Sequence, residues 1–83
     1  MKILYFAWLR QKIGLAEERI EPPPGVDDVA ALLSWLQGRG AGFAEALKDL
    51  SVVRVAVNQD YVPRSHKIRA GDEIALFPPV TGG

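Results

Sequence analysis

The chain has 83 residues, ten basic and ten acidic, with 48% hydrophobic residues and no cysteine. A domain of this size buries somewhat more than about 60% of the surface its unfolded chain exposes, which allows a two-layer core but no large enclosed active-site cavity. Zero formal charge argues against a phosphate-tracking nucleic-acid binder, and the missing thiols exclude disulfides, thiolate metal sites and a cysteine-borne persulfide.

Lys2 to Leu9 is rich in aromatic and branched residues and reads as a central strand buried on much of both faces. Arg10 to Gly14 reads as a turn or a single helical turn. Glu17 to Glu21 alternates charged residues with little apolar content beyond Ile20, which suits a short edge strand. Pro22, Pro23 and Pro24 cannot donate ladder hydrogen bonds, so strand pairing stops there.

Asp27 is the expected N-cap of the main helix, with Asp28 in its first turn, because Val29, Leu32, Leu33 and Leu36 recur at helical spacing. Trp35 widens that apolar face, and Gly38, Gly40 and Gly42 end the helix near Gln37. Phe43 to Leu50 predicts a second short helix with Phe43, Leu47 and Leu50 inward. Val52 to Val57 is a β-branched strand, Asn58 to Asp60 a turn, and Tyr61 and Val62 the return of a hairpin. Ala70-Gly71-Asp72 is another turn, after which Ile74 and Leu76 alternate with Glu73, Ala75 and Phe77 in the final strand. This order does not repeat βαβ units. It predicts an α+β fold, a mixed sheet packed on one main helix plus a short second helix. The domain is expected over 1–77 and an extended tail over 78–83.

The tail is the chemical feature. Pro78 and Pro79 favour an extended path, so residues 78–83 reach roughly 20 Å at about 3.3 Å per residue, far enough to enter another protein's pocket. Gly82 and Gly83 carry no Cβ and leave the terminal carboxylate unhindered. That carboxylate is a poor electrophile at neutral pH. The expected activation uses ATP, supplied by a partner, to make an acyl-adenylate from which a sulfur or nitrogen nucleophile displaces AMP.

Phe6, Tyr61 and Phe77 are candidates for an exposed patch that meets a partner near the tail, together with the stem residues Pro78, Pro79, Val80 and Thr81. Arg64, His66, Lys67 and Arg69 read as a solvated basic loop, the alternative being contact with an acidic partner face or an anionic substrate. No ligand spacing surrounds His66, the single histidine, so no metal is assigned. The three glycines near position 40 lack the Gly-Lys-Ser/Thr of a phosphate loop. No apolar run reaches the roughly 20 residues of a bilayer span, and no cleavage pattern follows Ile3 to Leu9. The expectation is a cytoplasmic chain with neither membrane nor nucleic-acid partner.

GDEIALFPPVTGG at 71–83, MKILYFAWLRQKIG at 1–14 and VRVAVNQDYV at 53–62 resemble the small, sulfur-carrier subunits of molybdopterin synthase. The resemblance implies the β-grasp fold shared with ubiquitin. It implies that an adenylyltransferase similar to ubiquitin-activating enzymes attaches nucleotide to Gly83 using ATP, and that a sulfur donor then leaves a thiocarboxylate. The tail would enter the large subunit, in a heterotetramer of two small and two large subunits, and pass sulfur to cyclic pyranopterin monophosphate. The chain itself would bind no cofactor. Other readings of the same tail are a ubiquitin-like protein modifier, a sulfur carrier for a pathway such as thiazole synthesis, and an interaction domain with an inert end.

Overall fold

The computed structural model describes residues 1–79. Val80, Thr81, Gly82 and Gly83, and with them most of the expected tail, lie outside the described residues. The elements are β1 (Lys2–Tyr5), α1 (Ala7–Ile13), β2 (Glu17–Arg19), α2 (Val29–Gln37), α3 (Ala41–Ala46), a 3-10 turn (Leu50–Val52), β3 (Arg54–Val57), β4 (Asp60–Tyr61) and β5 (Glu73–Phe77). The sheet order is β2-β1-β5-β3-β4. β1 runs parallel to β5, and the other pairs are antiparallel. The last strand in sequence is therefore central in space. This mixed five-stranded sheet with its main helix is the expected β-grasp architecture.

The sheet has one core face. Ile3, Tyr5, Val55, Val57, Ile74 and Leu76 join Val29, Leu32, Leu33 and Leu36 of α2 in a single buried cluster, each large side chain contributing about 1.5–3 kcal/mol on burial. Trp8 and Trp35 pack against its margin. No described helix is long and apolar enough to cross a membrane.

The strand expected over Lys2 to Leu9 stops at Tyr5 and is buried on alternate residues, not on both faces. Phe6 remains extended, Ala7 turns to φ 55°, and α1 begins. The cause lies on the neighbouring strand. Beyond Phe77 the chain offers Pro78 and Pro79, which have no N–H to continue a ladder. Of the two readings of Arg10 to Gly14, the helical turn holds: it is the second half of α1, which starts earlier, at Ala7, with Leu9 buried inward and Gly14 closing it at φ 87°, a conformation that suits glycine.

Asp28, not Asp27, caps α2: its side chain accepts the Ala31 N–H at 2.8 Å. Asp27 sits one residue outside, and its carbonyl accepts the Ile68 N–H. The helix ends at Gln37 as expected. The second helix starts and ends earlier than its apolar pattern suggested. Leu47 is its buried C-cap and Leu50 opens the 3-10 turn. β3 begins at Arg54, two residues later than expected, because Val52 is still in that turn.

Candidate functional site

The root of the tail is built by sheet register. Val55 pairs with Leu76 and Arg54 with Phe77, so Leu76 faces the core and Phe77 the opposite side, as alternation predicted. Tyr61 pairs with Ala56, which puts it on the same outer face as Phe77. Their rings meet at 5.5 Å between centroids, tilted by 40°.

Phe6 arrives from the other side. Its N–H donates to the Leu76 carbonyl at 3.1 Å, and its extended backbone places it one step past the Tyr5–Leu76 pair, next to Phe77 in register. The chain thus leaves the sheet through Pro78 and Pro79, both half-buried, with Phe6 on one flank and Tyr61 and Arg54 on the other. Tyr61 is 79% exposed and Phe6 47%. Large aromatic groups exposed beside an exit point form an apolar patch of the kind found at protein interfaces. The structure therefore brings together Phe6, Tyr61, Phe77, Pro78 and Pro79. The expected roles of Val80, Thr81, Gly82 and Gly83 lie outside the described residues.

Arg64 corrects an expectation. The loop from Arg64 to Arg69 is not merely solvated: the Arg64 and His66 carbonyls accept the N–H groups of Ala30 and Val29, closing the open N-terminal end of α2. The Arg64 side chain turns inward, and its Nη2 donates to the carbonyls of Leu50 and Val53. The reason is local. Val62 gives the last ladder hydrogen bond of that edge, to the Val55 carbonyl, and past Pro63 the chain turns away, so the Arg64 N–H, next in that register, does not bond the Val53 carbonyl. The guanidinium takes the place of the missing backbone donor. Arg64 Nη1 is buried without a hydrogen-bond partner among the described residues, a condition that costs about 1–3 kcal/mol for a typical polar group.

Sequence reasoning also missed Arg54, whose position opposite Phe77 is a matter of register. Arg54, Arg64, Tyr61, Val62, Pro63 and Phe77 help line a cleft of about 650 Å³, beside the tail's exit. Among the described residues, no carboxylate lines it.

Comparison with known proteins places this geometry among characterised chains. The ThiS family profile matches residues 3–83. The molybdopterin synthase sulfur carrier subunit of Escherichia coli is 37% identical over 83 residues, covering 100% of this chain and 99% of that one. Among solved structures, small archaeal modifier protein 1 from Haloferax volcanii superposes with a TM-score of 0.74 at 28% identity, covering 96% of this chain and 97% of that one. The complex of subunits 1 and 2 of the molybdopterin-converting factor from Helicobacter pylori contains a chain matching with a TM-score of 0.65 at 26% identity, covering 99% of this chain and 96% of that one.

Proposed function

The chain belongs to the ThiS family, and we propose that it is the sulfur-carrier subunit of a molybdopterin synthase, acting through the carboxyl group of Gly83. The observation that carries this reading is the end-to-end match to the Escherichia coli sulfur carrier subunit. The geometry supports it: a rigid central strand delivers Pro78 and Pro79 to an aromatic rim, so a partner can grip the domain while the tail reaches past it.

The chemistry follows from what a carboxylate lacks. An adenylyltransferase transfers AMP from ATP to Gly83, releasing pyrophosphate and creating a good leaving group on the carbonyl carbon. A sulfur nucleophile displaces AMP, and a thiocarboxylate remains. The domain then docks on the large subunit, the tail enters the site that holds cyclic pyranopterin monophosphate, and sulfur passes toward the dithiolene. Two such deliveries complete one product. The large subunit supplies the substrate pocket and the acid and base groups, and the paired assembly contains two small and two large subunits. Gly82 and Gly83 carry no side chain and leave the terminal carbonyl open to the nucleophile. We place the cycle in the cytoplasm, where activation has its supply of ATP.

Reconstitution tests the reading. The chain, its large subunit, the activating enzyme, ATP and a sulfide source are expected to form the dithiolene product, and the chain lacking Gly83 is expected to form none. Product formation that survives removal of Gly83 would refute it. A second reading, covalent attachment of Gly83 to lysines of other proteins, is favoured by the likeness to small archaeal modifier protein 1. The two share the adenylate and part at the nucleophile, sulfur in one and an amine in the other.

A further inference from the structure

The cleft beside the tail's exit combines two properties. Its walls are apolar, from Tyr61, Val62, Pro63 and Phe77, while the strongly charged residues lining it are Arg54 and Arg64. The chain as a whole is neutral, so this local imbalance of sign is not inherited from composition. Arg54 is exposed and forms no ion pair among the described residues, where the five pairs use Lys2, Lys12, Arg39, Lys48 and Lys67. Arg64 has an unpaired buried donor in the same wall.

We propose that this cleft seats an acidic segment of the large subunit, in which an aliphatic or aromatic side chain packs against the Tyr61–Phe77 pair and an adjacent Asp or Glu pairs with Arg54. The inference rests on the sulfur-carrier reading and adds to it the chemistry of the contact. Arginine is suited to this work because its planar fork matches a carboxylate through two parallel hydrogen bonds. Tyr61 and Phe77 supply contact area with few rotatable bonds to fix on binding. The cleft adjoins Phe77, the residue before Pro78, so a segment seated there also sets where the tail enters the partner. Opposite charges at this position steer the encounter and fix its register.

The test is isothermal titration of the large subunit from the same organism with the full chain and with Arg54→Lys, Arg54→Gln and Arg54→Glu, each at low and high salt. Arg54 is exposed, and circular dichroism checks that each variant keeps the fold. Arg54→Glu is expected to weaken binding by at least about 30-fold, Arg54→Gln by about tenfold and Arg54→Lys less than either. The wild-type affinity falls as salt rises, and that slope flattens in Arg54→Gln. If the wild-type chain binds and both Arg54→Gln and Arg54→Glu match it with the same salt slope, the acidic-segment proposal is overturned while the sulfur-carrier reading stands. If the large subunit does not bind the wild-type chain at all, both fall. Self-association of the chain that Arg54→Glu abolishes, with large-subunit binding unchanged, assigns the cleft to a second copy and also overturns the proposal.

Discussion

Replacing Gly42 with alanine puts a methyl group into the seam between α1 and α3. A Cβ at this position meets the Lys12 carbonyl oxygen at 2.5 Å. That atom is backbone, so relief requires the end of α1 to move. Two effects oppose each other. Alanine in place of glycine inside a helix gains about 1 kcal/mol of intrinsic propensity, whereas an extra methyl in a packed seam costs about 1–3 kcal/mol. Restoring an ordinary separation of about 3.5 Å demands a shift near 1 Å between two packed helices, which places the cost in the upper part of that range. The expected net loss is about 1–2 kcal/mol, and at about 4–8 °C per kcal/mol for a domain of this size the Tm falls by about 4–16 °C.

Gly38 is the internal control. A Cβ there lies 3.6 Å from the Trp35 carbonyl oxygen, and its φ of −88° suits any residue, so Gly38→Ala holds or raises the Tm, by up to about 1 kcal/mol of stability. Differential scanning calorimetry on the two variants decides the matter. A Gly42→Ala protein melting at or above the wild type would refute the close approach of α1 and α3. The consequence reaches the site, because α1 starts directly after Phe6 and a displaced α1 carries that ring away from the tail's exit.

Three further outcomes follow from the same structure. Tyr5→Phe removes a hydroxyl that donates to Glu18 Oε2 at 2.7 Å while Arg39 still holds Glu18, a loss of about 1–2 kcal/mol in urea unfolding. Burial pushes the Tyr5 phenol well above its ordinary 10.0, and the Glu18 hydrogen bond and charge push the same way. A raised folded pKa gives stability that is complete below pH of about 10 and lost as pH rises beyond it. The wild type must therefore lose stability above that pH more steeply than Tyr5→Phe, and parallel curves would contradict the assignment. Arg64→Met keeps the aliphatic stem but leaves the Val53 carbonyl unpaired, while the Leu50 carbonyl keeps the Val53 N–H, costing about 1–3 kcal/mol with faster amide exchange along the 50–55 edge, and unchanged stability would count against it. Phe77→Ala, half-buried on the outer face, is expected to weaken large-subunit binding by at least about tenfold in titration calorimetry, and equal affinity would remove Phe77 from the interface.

Much of this was legible in the residues. The Val29, Leu32, Leu33, Leu36 stripe located α2 because its period is local, and the alternation of Glu73 to Phe77 gave both β5 and the outward face of Phe77. What the sequence hid depended on neighbours distant in the chain. β1 ends at Tyr5 because Pro78 and Pro79, more than seventy residues later, offer no ladder donors. Asp27 and Asp28 are equivalent as caps by type, and the pairing of Asp27's carbonyl with Ile68 decides between them. Arg64 reads as one more surface cation until the turn after Pro63 takes its own N–H away from the Val53 carbonyl, which the guanidinium then serves. Phe6, Tyr61 and Phe77 were nameable as aromatic residues, but only strand order brings them to one exit, and Arg54 carried no signal outside its register with Phe77.

The central claim is that sulfur rides on the carbonyl carbon of Gly83, and intact-mass and fragment-ion mass spectrometry tests it most directly. The chain is incubated with the adenylyltransferase, ATP and a sulfur donor, then with the large subunit and cyclic pyranopterin monophosphate. The account predicts the mass change of one sulfur replacing one oxygen, confined to the Gly83 fragment, appearing in the first step and reversing in the second. A chain whose mass never changes, or one recovered as amide-linked adducts to lysines of other proteins without any sulfur-bearing form, would contradict it.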